Sequence, residues 1–161
     1  MTIGVLFVCT GNICRSPMAK GVFRTLVERA GLADAFTIDS AGTFEGHVGR
    51  PASPLAVETA RLRGYEIADH RARLLTNQDL ERFEHPMAMD RTHLAAMRWM
   101  APRKLSDRPQ MLMRCAPELG VLDIPDPYGG PARAYQQALD LIEAGCKGLL
   151  ERLTAQVKTA I

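Results

Sequence analysis

Aromatic residues are scarce in this sequence, 6% of its 161 positions with a single tryptophan, and cysteine is limited to four residues. Thiols at positions 9, 14, 115 and 146 are too few and too scattered for a disulfide framework in a chain of this length. Free thiols in a reducing cytoplasm are therefore expected. No apolar stretch approaches the 18 or so residues of a membrane span, and no cationic start leads into a short apolar block with a cleavage site, so membrane insertion is not expected. An excess of one charge is missing too. Twenty Lys and Arg against 18 Asp and Glu leave a net charge of +2, with no basic run of the kind that marks a nucleic-acid binder. There is no repeat, low-complexity tract or linker. With 47% hydrophobic residues, the chain can bury one ordinary core, and residues 1–161 are expected to form one domain.

What is present is an alternation of short β-like runs and helical patterns. Residues 3–8 (IGVLFV) form a continuous apolar run rich in branched side chains, the pattern of a strand buried on both faces. Pro17 suits a first helical position, and apolar residues then recur at helical spacing up to Gly31. Residues 36–40 read as a second strand. Ser53-Pro54 opens a helix closed by Gly64, and Thr76 with Asp79 resembles a capping box for a shorter helix ending near Phe83. Residues 87–89 and 110–115 are further strands, and 135–157 form a long final helix with Ala138, Leu139, Ile142, Leu149, Leu150 and Leu153 facing inward. Such alternation implies a parallel sheet covered on both sides, with any site at the carboxyl ends of the strands.

The stretch VCTGNICRSP, residues 8–17, lies between the first strand and the first helix. The N–H groups of a helix start lack intrahelical partners, and the helix dipole adds roughly half a positive charge there, so the position attracts anions. Gly11 lets the backbone approach a ligand, Asn12 tolerates a left-handed conformation, and Arg15 brings a planar fork matched to two phosphate oxygens. A lone cysteine at a strand end is ordinarily core packing. In this loop, however, the dipoles and the cation stabilise a thiolate, and Cys9 becomes a nucleophile aimed at phosphorus. The loop lacks the Gly-Lys-Ser/Thr of a nucleotide P-loop, and Cys9 and Cys14 have no nearby His or Cys pair for zinc.

These residues resemble the low-molecular-weight protein tyrosine phosphatases. The loop is similar to that family's Cys-x5-Arg-Ser phosphate loop with its embedded Gly-Asn and second cysteine. DSAGT (39–43), DHRAR (69–73), AMDR (88–91) and DPYGG (126–130) match in order along the chain. The resemblance implies an α/β three-layer sandwich, with a four-stranded parallel sheet of order 2-1-3-4 and helices on both faces. It implies hydrolysis of phosphomonoesters without metal or cofactor. Cys9, Arg15 and Asp126 would be catalytic, and Thr10, Gly11, Asn12, Ile13, Cys14, Ser16, His47 and Tyr128 would contact phosphate or substrate. Ser40 and His70 would hold the loop together with Asn12 and Ser16, Ser16 would also donate to the departing Cys9 thiolate, and Cys14 would be a redox partner of Cys9. Expected partners are phosphotyrosine proteins and a cognate tyrosine kinase, with a monomer as the state of the protein.

The residues of DIPDPYGG, 123–130, support the acid assignment independently. Asp126 stands between Pro125 and Pro127 on a stiffened loop. An aryl oxide leaving phosphorus must be protonated, and the same carboxylate can later deprotonate water. Asp123 is the competing carboxylate. Tyr128 is either a wall for an aromatic substrate or a packed loop aromatic, and the wall is the favoured reading. His85 and His93 match nothing and are expected at the surface, while Cys115 and Cys146 read as core thiols.

The sequence departs from the family in places. Gly46 stands before His47 where many members carry a tryptophan wall, with Phe44 near enough to replace it. Pro86 falls where the family has an apolar strand residue, so that strand is expected to be short and to begin after Pro86. Alternatives on this fold are a protein arginine phosphatase, whose branch carries threonine in place of Ile13, and a thiol-dependent arsenate reductase, which needs a closer cysteine pair than Cys115 and Cys146. A non-catalytic phosphate-binding module would be expected to have lost Cys9, Arg15 or Asp126.

Overall fold

The computed structural model describes residues 1–159. Four parallel strands, β1 (Ile3–Cys9), β2 (Phe36–Gly42), β3 (His85–Ala88) and β4 (Gln110–Met111), lie in the order β2-β1-β3-β4. The helices are α1 (Arg15–Arg29), α2 (Pro54–Leu62), α3 (Asn77–Arg82), α4 (Arg91–Met100) and α5 (Ala132–Thr159). Strand β1 is the centre of the sheet, and its alternating side chains divide the core in two. Val5, Phe7 and Cys9 join the cluster beneath α1, α2 and α5, whereas Leu6 and Val8 pack with Leu80, Phe83 and Met97 on the opposite face. The period of two thus places the Cys9 side chain on the same face as α1.

The expected three-layer α/β arrangement and strand order are present, and several local boundaries differ. Helix α1 begins at Arg15 rather than Pro17, which leaves the proline in the first turn, where its missing N–H would have had no helical partner anyway. Strand β3 includes Pro86 instead of starting after it. The Met89 N–H donates to Val8 O, 3.1 Å away, so residues two and four positions earlier also face β1, and Pro86 faces β4. Since β4 pairs with β3 only at Met87 and Ala88, the proline removes no ladder bond.

The fourth strand stops at Met111 and gives way to a 3-10 turn, Leu112–Cys115, where a strand to 115 was expected. That turn presses on α5 at two glycines: a Cβ at Gly148 would lie 1.8 Å from Cys115 O, and one at Gly145 would lie 2.8 Å from Leu112 Cγ. Close backbone approach to α5 takes the place of continued pairing. The capping box of Thr76 and Asp79 and the Ser53 cap of α2 form as expected. Helix α4 was not expected at all. Its inward stripe is thin, with only His93 and Met97 buried, and its start depends on Asp90, which accepts from the N–H groups of Thr92 and His93. Among the described residues, no helix is long and apolar enough to cross a membrane.

Candidate active site

Cys9 closes β1 and Arg15 opens α1, so residues 10–14 form the turn at the carboxyl end of the central strand. Asn12 holds this turn together. It is fully buried, with φ of 56°, a left-handed conformation that asparagine tolerates better than most residues. Its Nδ2 donates to Ser16 Oγ at 2.8 Å and to Ser40 Oγ at 3.0 Å, and its Oδ1 accepts from the Arg73 N–H at 2.9 Å. The Asn12 carbonyl lies 2.6 Å from His70 Nε2, which must carry a proton to donate to it. Burial lowers the His70 pKa, so this ring is neutral with its hydrogen directed at the loop. Ser16, four residues on, and Ser40 and His70, distant in sequence, therefore converge on one side chain and its carbonyl.

Ser16 also reaches Cys9, with its Oγ 2.9 Å from Sγ. Because the Asn12 amide can only donate, Ser16 Oγ accepts there and its own hydrogen is free to point at sulfur.

Arg15 is almost completely buried, and most of its donors are engaged. Nη1 donates to Asp90 Oδ2 and to the Ile124 carbonyl, each at 2.8 Å. Nη2 lies 3.5 Å from Thr10 Oγ1 and 3.6 Å from Asp126 Oδ2. Nε is buried without a hydrogen-bond partner among the described residues. The edge formed by Nε and Nη2 is the one left for two oxygens of a phosphate. Asp90 is held as a carboxylate: burial pushes its pKa up, but the Thr92 hydroxyl and the Arg15 guanidinium bring it down to about 2.

Above this floor lies a pocket of about 220 Å³ lined by the loop and by Phe44, His47, Asp126 and Tyr128. Ile13, buried at the loop's inner bend, and Cys14 complete the wall. His47 packs so closely over Gly11 that a Cβ there would meet its Cδ2 at 2.8 Å, and it is flanked by Phe44 and Tyr128 with ring centroids at 5.7 and 5.6 Å. A Cβ at Gly46 would fall 2.2 Å from the Phe44 ring. Glycine at position 46 therefore leaves room for the Phe44 ring, which lines the pocket. Asp126 is 49% exposed on its side chain, with Oδ1 accepting from the Tyr128 N–H at 3.1 Å and Oδ2 turned to Arg15. Asp123, the competing carboxylate, does not line the pocket, and both its oxygens are bound to Arg91, the closer at 2.7 Å from Nη2. Cys14 Sγ lies 3.3 Å from Ser53 Oγ and 3.5 Å from the Tyr135 hydroxyl, and all four cysteines are free thiols.

Residues 4–159 match the family model for low molecular weight phosphotyrosine protein phosphatases. The chain belongs to this family. It is 42% identical to a low molecular weight protein-tyrosine-phosphatase of Streptomyces coelicolor, with 98% of each chain covered. Among solved structures, it resembles YfkJ from Bacillus subtilis with a TM-score of 0.91 and 35% identity over 97% of each chain. It also resembles a protein tyrosine phosphatase of Entamoeba histolytica crystallised with Hepes in its active site, with a TM-score of 0.93 and 28% identity over 96% of this chain and 99% of that one.

Within this phosphatase fold, two residues next to the loop were not anticipated as site residues. Asp90, inside the AMDR motif, pairs with Arg15, and its signal was its position as a cap before Thr92 and His93. His93 was expected at the surface, but only 1% of it is exposed, and its Nε2 lies 2.9 Å from Thr10 Oγ1. His85 is half-buried rather than exposed. Cys115 and Cys146 are core thiols as expected.

Proposed function

We propose that the protein hydrolyses phosphotyrosine in proteins through a phosphocysteine intermediate on Cys9. The observation that carries this reading is the juxtaposition of a nucleophilic sulfur bonded to Ser16, the open Nε and Nη2 edge of Arg15, and the Asp126 carboxylate around one pocket. Phosphate binds to that edge and to the loop N–H groups, including those of Thr10, Gly11, Asn12, Ile13 and Cys14. Cys9 Sγ attacks phosphorus, the ester oxygen departs, and Asp126 donates its proton to it. Water then attacks the phosphocysteine with Asp126 accepting its proton, and Ser16 stabilises the thiolate as it leaves. Metal and cofactor are not required by this scheme.

Phe44, His47, Tyr128 and Ile13 offer apolar and aromatic surface for a phenyl ring. A guanidinium there would leave its donors unpaired, at a cost of about 1–3 kcal/mol, or roughly 5- to 150-fold. Phosphoserine is too short to bring its phosphate to the floor of a cleft built for a ring. A cognate tyrosine kinase would supply the substrates, and the protein acts as a monomer in the cytoplasm.

Matched peptides carrying phosphotyrosine, phosphoarginine or phosphoserine test the reading. kcat/KM is expected to be highest for phosphotyrosine, with Ile13→Thr moving the ratio toward phosphoarginine. Cys9→Ser should abolish turnover while retaining phosphate binding. Turnover by Cys9→Ser, or phosphoarginine equal to phosphotyrosine in the unaltered protein, would refute it.

A further inference from the structure

His93 and Thr10 are far apart in sequence, yet the structure joins them beside the phosphate loop. The Asp90 N–H donates to His93 Nδ1 at 3.2 Å, so Nδ1 is the unprotonated nitrogen. Asp90 Oδ1 also lies 3.3 Å from Nδ1, a contact that would suit an imidazolium. Burial opposes that charge first and the neighbouring Arg15 cation adds to it, outweighing Asp90, Asp126 and Asp123 and lowering the His93 pKa to about 4. The ring is neutral and carries its hydrogen on Nε2, 2.9 Å from Thr10 Oγ1.

Thr10 Oγ1 also lies 3.5 Å from Arg15 Nη2 and accepts from it, beside Asp126 Oδ2 at 3.6 Å. Nη1 is already committed to Asp90 and Ile124. Because a guanidinium is planar, anchoring Nη1 and the outer hydrogen of Nη2 sets the direction of the remaining edge.

We propose that His93 is a positioning residue for phosphate recognition: held by the start of α4, it orients the Thr10 hydroxyl toward Arg15 Nη2 and so aims the free edge of the guanidinium at the phosphoryl group. The inference rests on the phosphatase reading of this pocket. A merely structural His93 would do no more than close the capping box of α4, a task that uses Nδ1 alone. The positioning task uses Nε2. The two can be separated, because asparagine places an acceptor near the Nδ1 position and glutamine a donor near the Nε2 position.

Binding of inorganic phosphate, measured by calorimetry, and thermal melting are compared across variants of the full chain. His93→Asn is expected to keep the melting temperature and to weaken phosphate binding about tenfold, the scale of one charge-assisted hydrogen bond. His93→Gln is expected to melt earlier yet bind phosphate within about threefold of the unaltered protein. Thr10→Val should reproduce the loss seen in His93→Asn, and the double variant should be no worse than either alone, because the two act in series. Wild-type affinity in His93→Asn, an equal loss in His93→Gln, or losses that multiply in the double variant would each overturn the proposal. Phosphate binding is read without turnover, so absence of aryl phosphatase activity in the unaltered protein would refute the function while leaving this inference to be judged on the variants.

Discussion

Replacing Asn12 probes the loop most directly, because one side chain satisfies three separate partners. Asn12→Gly removes the bonds to Ser16 and Ser40 and leaves the Arg73 N–H without its acceptor. Each lost bond is worth about 1 kcal/mol net, and an orphaned buried N–H costs about 1–3 kcal/mol, so a loss of roughly 3–5 kcal/mol is expected. That is a large share of the roughly 5–15 kcal/mol that holds an ordinary domain folded. Glycine accepts the left-handed φ of 56° without strain, whereas alanine pays about 1–2 kcal/mol for it, partly offset by glycine's greater freedom in the unfolded chain. Asn12→Ala should therefore be less stable than Asn12→Gly by about 1 kcal/mol. Urea titration of both variants measures the differences, and kcat should fall in both because Ser16 loses the donor that turns its hydrogen toward Cys9. An Asn12→Gly protein within about 0.5 kcal/mol of the original, or an alanine variant more stable than the glycine one, would refute the reasoning.

Asp126→Asn should lower kcat by about 10²–10⁴ for a phenyl ester and much less for an ester whose leaving group departs unprotonated; equal losses on both would remove Asp126 as the acid. Peroxide should inactivate the enzyme reversibly, the sulfenic acid at Cys9 being captured as a disulfide by the Cys14 thiolate with release of hydroxide, and Cys14→Ser should lose recovery by dithiothreitol. Burial pushes the Cys14 thiol up, so capture should quicken as pH rises, and equal recovery in Cys14→Ser would exclude the role. Asp90, held at about 2 against an ordinary 3.8, contributes stability that is fully present above about pH 4 and is lost as pH falls from there toward 2. Melting temperatures across that window should fall less steeply in Asp90→Asn, and an unchanged slope would show that the carboxylate is not the group responsible.

The parts of this protein legible in its sequence are those whose chemistry is contiguous. The apolar run of β1, the Gly11-Asn12 turn, Cys9 and Arg15 lie within a few residues, and their backbone geometry follows from local rules for strand ends, left-handed residues and helix starts. Asp126 was legible for the same reason, since two prolines and a turn hold it on an exposed loop. The tertiary structure alone decided which distant groups hold Arg15, because Asp90 and Ile124 reach it only after parallel crossovers bring the carboxyl ends of β1 and β3 side by side. It likewise decided that Pro86 could sit inside β3, since its nitrogen faces β4 and whether a ladder bond is lost there depends on where β4 begins. His93 shows the limit most clearly. Its polarity and its place in a mostly exposed helix suggest the surface, and only the packing of α4 against the phosphate loop, capped by Asp90, encloses the ring and directs its Nε2 at Thr10.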